Sequence, residues 1–181
     1  NFEDVHELIE RIRIPMDKTV LTKYFWDMFV VDALIGNIDR HLDNWGLLEQ
    51  PDGRMIPAPI YDCGSALSPL KSDEEKQALL ENPNLMKSRE YNLCTVYRKF
   101  GARVAYHEIF KDPPHDLEEA ILRMVPRIQT AMPKMEEVID ATEGMTAISK
   151  AYMKKSVDMR LEKILSPALK KVQGRQYERV R

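Results

Sequence analysis

From Val20 to Ile35 the chain is apolar on most sides, with Thr22, Lys23, Asp27 and Asp32 as polar exceptions. At Gly36 it passes directly into Asn37-Ile38-Asp39-Arg40-His41-Leu42-Asp43-Asn44, where only Ile38 and Leu42 are apolar. A helix that is apolar nearly all round belongs in the centre of a fold. The segment it feeds must therefore start near that centre, where every polar group needs a partner. Those partners are one another, the backbone, or something bound.

The flanking sequence says how this loop is held. Asp17 predicts the helix N-cap, and Gly36-Asn37 predicts a left-handed C-cap. After the loop, Trp45-Gly46-Leu47-Leu48 predicts a strand and Pro51-Asp52-Gly53 a turn. Met55-Ile56 and Ala58 to Tyr61 predict a returning extended segment. Pro57 and Pro59 exclude a central strand there, so the pair is a two-stranded ribbon. Its return delivers Tyr61-Asp62-Cys63-Gly64 to the end where the polar loop began, so Asp62 can meet Asp39 and Asn44 in space.

Elsewhere the pattern is helical. Val5, Leu8, Ile9 and Ile12 predict a first helix over about residues 3–13, ended by Pro15. Ser72 and Glu75 read as a capping box for a helix through Leu80. Helical spacing covers 116–125, 127–140 and 146–165, punctuated by Pro113, Pro114, Pro126, Pro133 and Pro167. Met124, Met132 and Met135 fit helix packing. The expected fold class is mainly α with a small β-hairpin, in one domain over 1–181: a site region at 36–65 and a helical subdomain at 72–181.

Composition narrows the function. The 181 residues are 44% hydrophobic, enough for a core. Basic and acidic residues number 27 and 29, for a formal charge of -2, which argues against a general nucleic-acid binder. The basic tail, Lys170, Lys171, Arg175, Arg179 and Arg181, reads as a solvated helix end. Cys63 and Cys94 form neither a disulfide framework nor a zinc pattern, so a cytosolic setting is expected. No apolar run approaches the length of a membrane span, and no signal peptide is visible. The chain begins without Met on a helical pattern and is read as part of a longer protein.

The residue types suit phosphoryl transfer. Asp39 can orient an attacking hydroxyl and accept its proton. Asn44 offers a neutral amide oxygen and Asp62 a carboxylate, both suited to magnesium. Gly64 permits a sharp turn after Asp62. Taken singly, the same residues are ordinary: an aspartate before arginine forms surface ion pairs, and a loop asparagine forms turns. On residue chemistry alone, a metal-assisted phosphate site and a merely well-braced loop both remain open.

The joint pattern is more specific. Asp-x-x-x-x-Asn followed by Asp-x-Gly resembles the catalytic loop and metal-binding tripeptide of the protein-kinase-like superfamily. Gly-Asn-x-Asp-Arg-His-x-x-Asn-Trp-Gly, with Pro-Ile-Tyr-Asp-Cys-Gly-Ser behind it, resembles the carboxy-terminal domain of HipA-type serine/threonine kinases. These are bacterial enzymes, often the toxin of a toxin–antitoxin pair. The close match spans about residues 24–68.

The resemblance implies a protein-kinase-like C-lobe in which Asp39 is the catalytic base and Asn44 and Asp62 are magnesium ligands. Asn37 stands with the cofactor-binding set as the residue that orders the loop. His41 is implied to donate to the migrating phosphoryl oxygens or to share the base role; a packed loop brace is its other reading. Arg40 and Asp43 read as structural neighbours. The implied cofactors are Mg2+ and ATP, and the implied substrate is a protein serine or threonine. An antitoxin or DNA-binding regulator is a further implied partner, with no direct nucleic-acid binding and no membrane.

The chain has no glycine-rich nucleotide loop and no strand lysine paired with a helix glutamate. Those parts are expected upstream of residue 1, and the isolated chain is expected to be inactive. Two alternatives stand beside this reading. Asp-Arg-His also occurs in phosphoinositide-type kinases, which suggests a lipid or small-molecule kinase. A non-catalytic module that binds a partner is the other.

Overall fold

The structure is a computed structural model that describes residues 15–180 together with Glu7, Ile9, Arg11 and Arg13. Most of the helix expected over 3–13 lies outside these residues. Helix α1, Lys18–Ile35, is the hub. Asp17 accepts a hydrogen bond from the Thr19 N–H at its start, and Gly36 ends it at φ 68° with its N–H on the Asp32 carbonyl. It buries Leu21, Phe25, Trp26, Met28, Phe29, Val30, Ala33 and Leu34. Its aromatic face is tightly built: Phe29 stacks on Phe110 at 5.9 Å, and Phe25 meets Trp45 edge-on at 5.7 Å. Each such side chain contributes about 1.5–3 kcal/mol by leaving water, so the direction of α1 is firmly fixed.

A 3-10 turn, Leu42–Asn44, leads into strand β1, Leu47–Glu49. β1 pairs antiparallel with β2, Met55–Pro57, Leu47 opposite Pro57 and Glu49 opposite Met55. Helices α2, Asp73–Glu81, and α3, Pro83–Tyr91, follow. Ser72 and Glu75 make the expected capping box on α2. A second hairpin, not foreseen, joins β3, Cys94–Lys99, to β4, Ala102–Ala105. Its two-residue turn holds Phe100 at φ 51° and Gly101 at φ 83°, as a type I′ turn requires. Then come α4, Tyr106–Lys111; α5, His115–Ala141; α6, Ala147–Arg160; a π turn, Leu161–Leu165; and α7, Ser166–Val180.

Two expectations about helix ends are corrected. α5 runs unbroken through Pro126 and Pro133. An interior proline costs about 3 kcal/mol, and burial of Leu117, Ala120, Ile121, Val125 and Ile128 on one face outweighs it. Arg123 also anchors α5 to Asp27 of α1, with Nε 3.0 Å and Nη2 2.5 Å from Oδ1. Pro167 likewise fails to end the last helix. The π turn just before it widens the backbone where the ring would meet a carbonyl, which is how one helical path absorbs a proline.

The structure is mostly helical with two small antiparallel hairpins. Met124, Met132 and Met135 pack against the main core. Both cysteines are free. Among the described residues no helix is long and apolar enough to cross a membrane.

Candidate active site

The site grows from the C-terminal turn of α1. Asp32 is 1% exposed, and its carboxylate is saturated by protein donors. It accepts from Asn37 Nδ2 at 2.9 Å, Arg40 Nε at 2.8 Å and Arg40 Nη2 at 2.9 Å. A buried carboxylate demands such compensation. Arg40, 2% exposed, then spends its remaining donors on the site itself. Its Nη1 donates to the carbonyls of Asn44 and Tyr61, and its Nη2 lies 3.3 Å from Cys63 Sγ. One planar guanidinium thus joins the end of α1, the end of the polar loop, and both neighbours of Asp62. Burial works against its charge, but the hydrogen bonds and charge of Asp32 outweigh it and hold the guanidinium above its usual range.

Other ties cross the same gap. Ser65 donates its hydroxyl to Asn37 Oδ1 and accepts from the Ile38 N–H at 3.1 Å. The Leu67 N–H donates to the Ile35 carbonyl at 2.9 Å, and Tyr61 Oη donates to the Asp43 carbonyl at 3.0 Å. From the far side, Tyr97 of β3 donates to the Arg40 carbonyl at 3.2 Å and Tyr106 of α4 to the Asn37 carbonyl at 2.5 Å. Desolvation raises both phenols well above the usual tyrosine range, so they stay protonated donors.

Within this frame the candidate residues divide by how their polar atoms are used. Asn37 is 1% exposed, with Nδ2 on Asp32 and Oδ1 taken by Ser65 and the Asp39 N–H. Asn44 is 5% exposed and donates Nδ2 to the Asp39 carbonyl at 2.7 Å. Its Oδ1 accepts no hydrogen bond among the described residues. Asp39 and Asp62 are the contrast: their side chains are exposed, and no donor among the described residues hydrogen-bonds either carboxylate. Both line one cleft of about 400 Å3, with Gly36, Ile38, Gly64, Ser65, Ser68 and Lys71.

Asp62 sits at φ 51°, Leu67 at 59° and Ser68 at 55°. Left-handed backbone costs a non-glycine residue about 1–2 kcal/mol, least for Asp and Asn. The clasp of Arg40 and Ser65 holds this segment in a conformation it would otherwise leave.

His41 is half-exposed at the loop's outer edge. Its Nδ1 accepts from the Asp43 N–H at 3.3 Å, which leaves the proton of a neutral ring on Nε2. That nitrogen lies 3.9 Å from Asp39 Oδ2. Among the described residues no three His, Cys, Asp or Glu side chains form a cation cage. Magnesium asks for less: one or two carboxylates, with waters and substrate phosphates completing the shell. The Asp62 carboxylate and the Asn44 amide oxygen are hard donors of the kind that ion takes, and Asn44 stands outside the lining of the cleft that Asp39 and Asp62 share.

Several supporting residues lay outside the sequence reading. Asp32 carried a usable signal, since an acid deep in an apolar helix requires a cation, and Arg40 lies in the next segment. Ser65 stands in the sequence only as the end of Pro-Ile-Tyr-Asp-Cys-Gly-Ser, with nothing to mark its bond to Asn37. Tyr97 and Tyr106 carried none, because their hydrogen bonds to the loop exist only once the second hairpin has folded back.

Comparison with known proteins agrees with this architecture. The family model of the HipA-like C-terminal domain matches residues 1–145. The serine/threonine-protein kinase CtkA of Helicobacter pylori strain J99 is 36% identical over 172 residues, which is 93% of this chain and 52% of that protein. The chain thus spans about half the length of this curated relative. The crystal structure of a Helicobacter pylori proinflammatory kinase CtkA superposes with a TM-score of 0.91 at 33% identity, over 97% of this chain and 64% of that one. The chain belongs to the HipA-like C-terminal domain family.

Proposed function

We propose that this chain is the catalytic lobe of a serine/threonine protein kinase that uses ATP and magnesium. The observation that carries the reading is the contrast within the site. Asn37 and Asp32 are engaged by protein partners, whereas the Asp39 and Asp62 carboxylates line one cleft with no hydrogen-bond donor on them among the described residues. Keeping two like charges on one cleft is unfavourable unless a cation or a reacting proton is to be met there. Similarity to a protein named a serine/threonine kinase supports the same reaction class.

The chain's own residues divide the work. Asp39 positions the acceptor hydroxyl and takes its proton as the oxygen attacks the terminal phosphorus. Asp62 and the Asn44 amide oxygen would hold magnesium. When bound, that ion neutralises the phosphate charge that builds as the bond to the leaving oxygen breaks. His41 Nε2 donates toward the same region and can hydrogen-bond a phosphoryl oxygen. Arg40 touches no substrate; it fixes the distance between the acceptor end and the metal end. The chain spans about half the length of its curated relative, and on this reading it has little activity alone.

The test is phosphorylation by the full-length protein carrying Asp39→Asn or Asp62→Asn. Asparagine tolerates left-handed backbone, so the second variant removes charge while keeping the conformation. Each should lose at least about a hundredfold in rate. Wild-type rates in both variants would refute the assignment.

A further inference from the structure

The cleft that holds Asp39 and Asp62 is electrically lopsided. The same lining includes one cation, Lys71, together with Ser68, Pro69, Leu70 and Leu93. The Lys71 ammonium lies 5.8 Å from the centroid of the Tyr152 ring. Among the described residues it forms no salt bridge. Glu90, the carboxylate that acts most strongly on it, is 3% exposed and already engaged. It takes Arg160 Nη1 as its ion-pair partner and accepts from Tyr152 Oη at 2.6 Å.

Arg160 adds to the imbalance. It is 2% exposed and stands directly behind the cleft lining: a Cβ on Gly36 would fall 2.9 Å from its Cζ and Nη1. Its Nη2 is buried with no hydrogen-bond partner among the described residues. Glu90 is thus committed to Arg160. Burial, helped by Arg89 and Arg160, lowers the Lys71 pKa, and Glu90 and Glu75 only partly offset this. An unpaired, half-buried ammonium facing a cleft is stabilised by an arriving anion.

We propose that Lys71 is a specificity residue that selects acceptor segments carrying an aspartate or glutamate close to the phosphorylated serine or threonine. The inference rests on the phosphotransfer reading above. An acceptor bound in the cleft sets its hydroxyl at Asp39 and a neighbouring anionic side chain at Lys71, against the apolar lining of Ile38, Leu93 and the 98% exposed Leu70. Asp39 and Asp62 repel the same anionic group, so among the described residues Lys71 is the one lining side chain whose charge favours it.

The experiment uses the full-length protein and short serine peptides in which one Asp, Lys, Ala or phosphoserine is stepped along each side of the acceptor. Phosphorylation is measured as kcat and KM, and nucleotide-free binding by fluorescence anisotropy. Wild type should prefer an Asp peptide over its Ala counterpart by about tenfold, in KM and in binding. Lys71→Ala should abolish the preference, Lys71→Arg should keep it, and Lys71→Glu should transfer it to the Lys peptide. That reversal cannot come from a residue that only supports the fold.

Four results would overturn the inference: no charge preference in wild type, a preference that survives Lys71→Ala, a response to phosphoserine alone, or an effect of Lys71→Ala on the KM for ATP instead of peptide. Charge-selective binding through Lys71 without phosphorylation would leave the anion site standing and refute the kinase reading. Phosphorylation without charge preference would do the reverse.

Discussion

Replacing Arg40 with methionine should collapse the site and much of the domain's stability. The side chain is 2% exposed and meets a carboxylate that is 1% exposed. Removing one partner of such a buried pair costs about 3–5 kcal/mol, because the other charge is left without compensation. The carbonyls of Asn44 and Tyr61 also lose a charged donor, roughly 1.5–3 kcal/mol each at most and not additive. Against a total domain stability of about 5–15 kcal/mol, the loss is large. Urea unfolding should show a lower midpoint with an unchanged slope. The decisive form is a double-mutant cycle with Asp32→Asn. Once the carboxylate is neutral, losing Arg40 should cost about 2 kcal/mol less than it does in wild type. A cost below about 1 kcal/mol for Arg40→Met, or strict additivity with Asp32→Asn, would show that the clasp is not what holds the loop.

Three further outcomes are expected. Gly36→Ala should destabilise by about 2–4 kcal/mol in thermal unfolding, since it combines φ 68° with a Cβ 2.9 Å from Arg160 Cζ and Leu93 Cδ2. Phe100→Asn should stabilise by about 0.5–1 kcal/mol, because Phe100 is 93% exposed and sits at φ 51°, where asparagine is easier; a lower Tm would contradict that. Tyr97 and Tyr106, raised chiefly by desolvation, contribute stability that is fully present below the unfolded tyrosine value of 10.0. That stability is lost as the pH rises beyond it. Tyrosinate absorbance should therefore show phenols that ionise only together with alkaline unfolding, and free titration of every tyrosine in the folded state would count against their burial.

What was legible in the sequence follows from where the determining interactions lie. Helix α1 announces both its ends because Asp17 and Gly36 act on backbone within a turn of themselves. The first hairpin is legible because Pro51-Asp52-Gly53 can only be a turn. The course of α5 through Pro126 and Pro133 was not, because its sustaining force is burial against α1, a tertiary effect that overrides local cost. The second hairpin hid behind a turn whose left-handed residue is Phe100 instead of the usual Asn or Gly. At the site, the spacing of Asp39, Asn44 and Asp62 showed in the chain. The agents that hold them, Arg40 on Asp32 and the hydroxyls of Ser65, Tyr97 and Tyr106, are known only from their contacts.

The proposed function requires that Asn44 and Asp62 share one magnesium ion beside the phosphates that Asp39 serves. A crystal structure of the full-length protein with magnesium and a non-hydrolysable ATP analogue tests it most directly. Asn44 Oδ1 and an Asp62 oxygen are expected at about 2.0–2.1 Å from the ion, with the terminal phosphate facing Asp39. A metal held elsewhere, or an Asn44 amide oxygen turned away from it, would contradict the account.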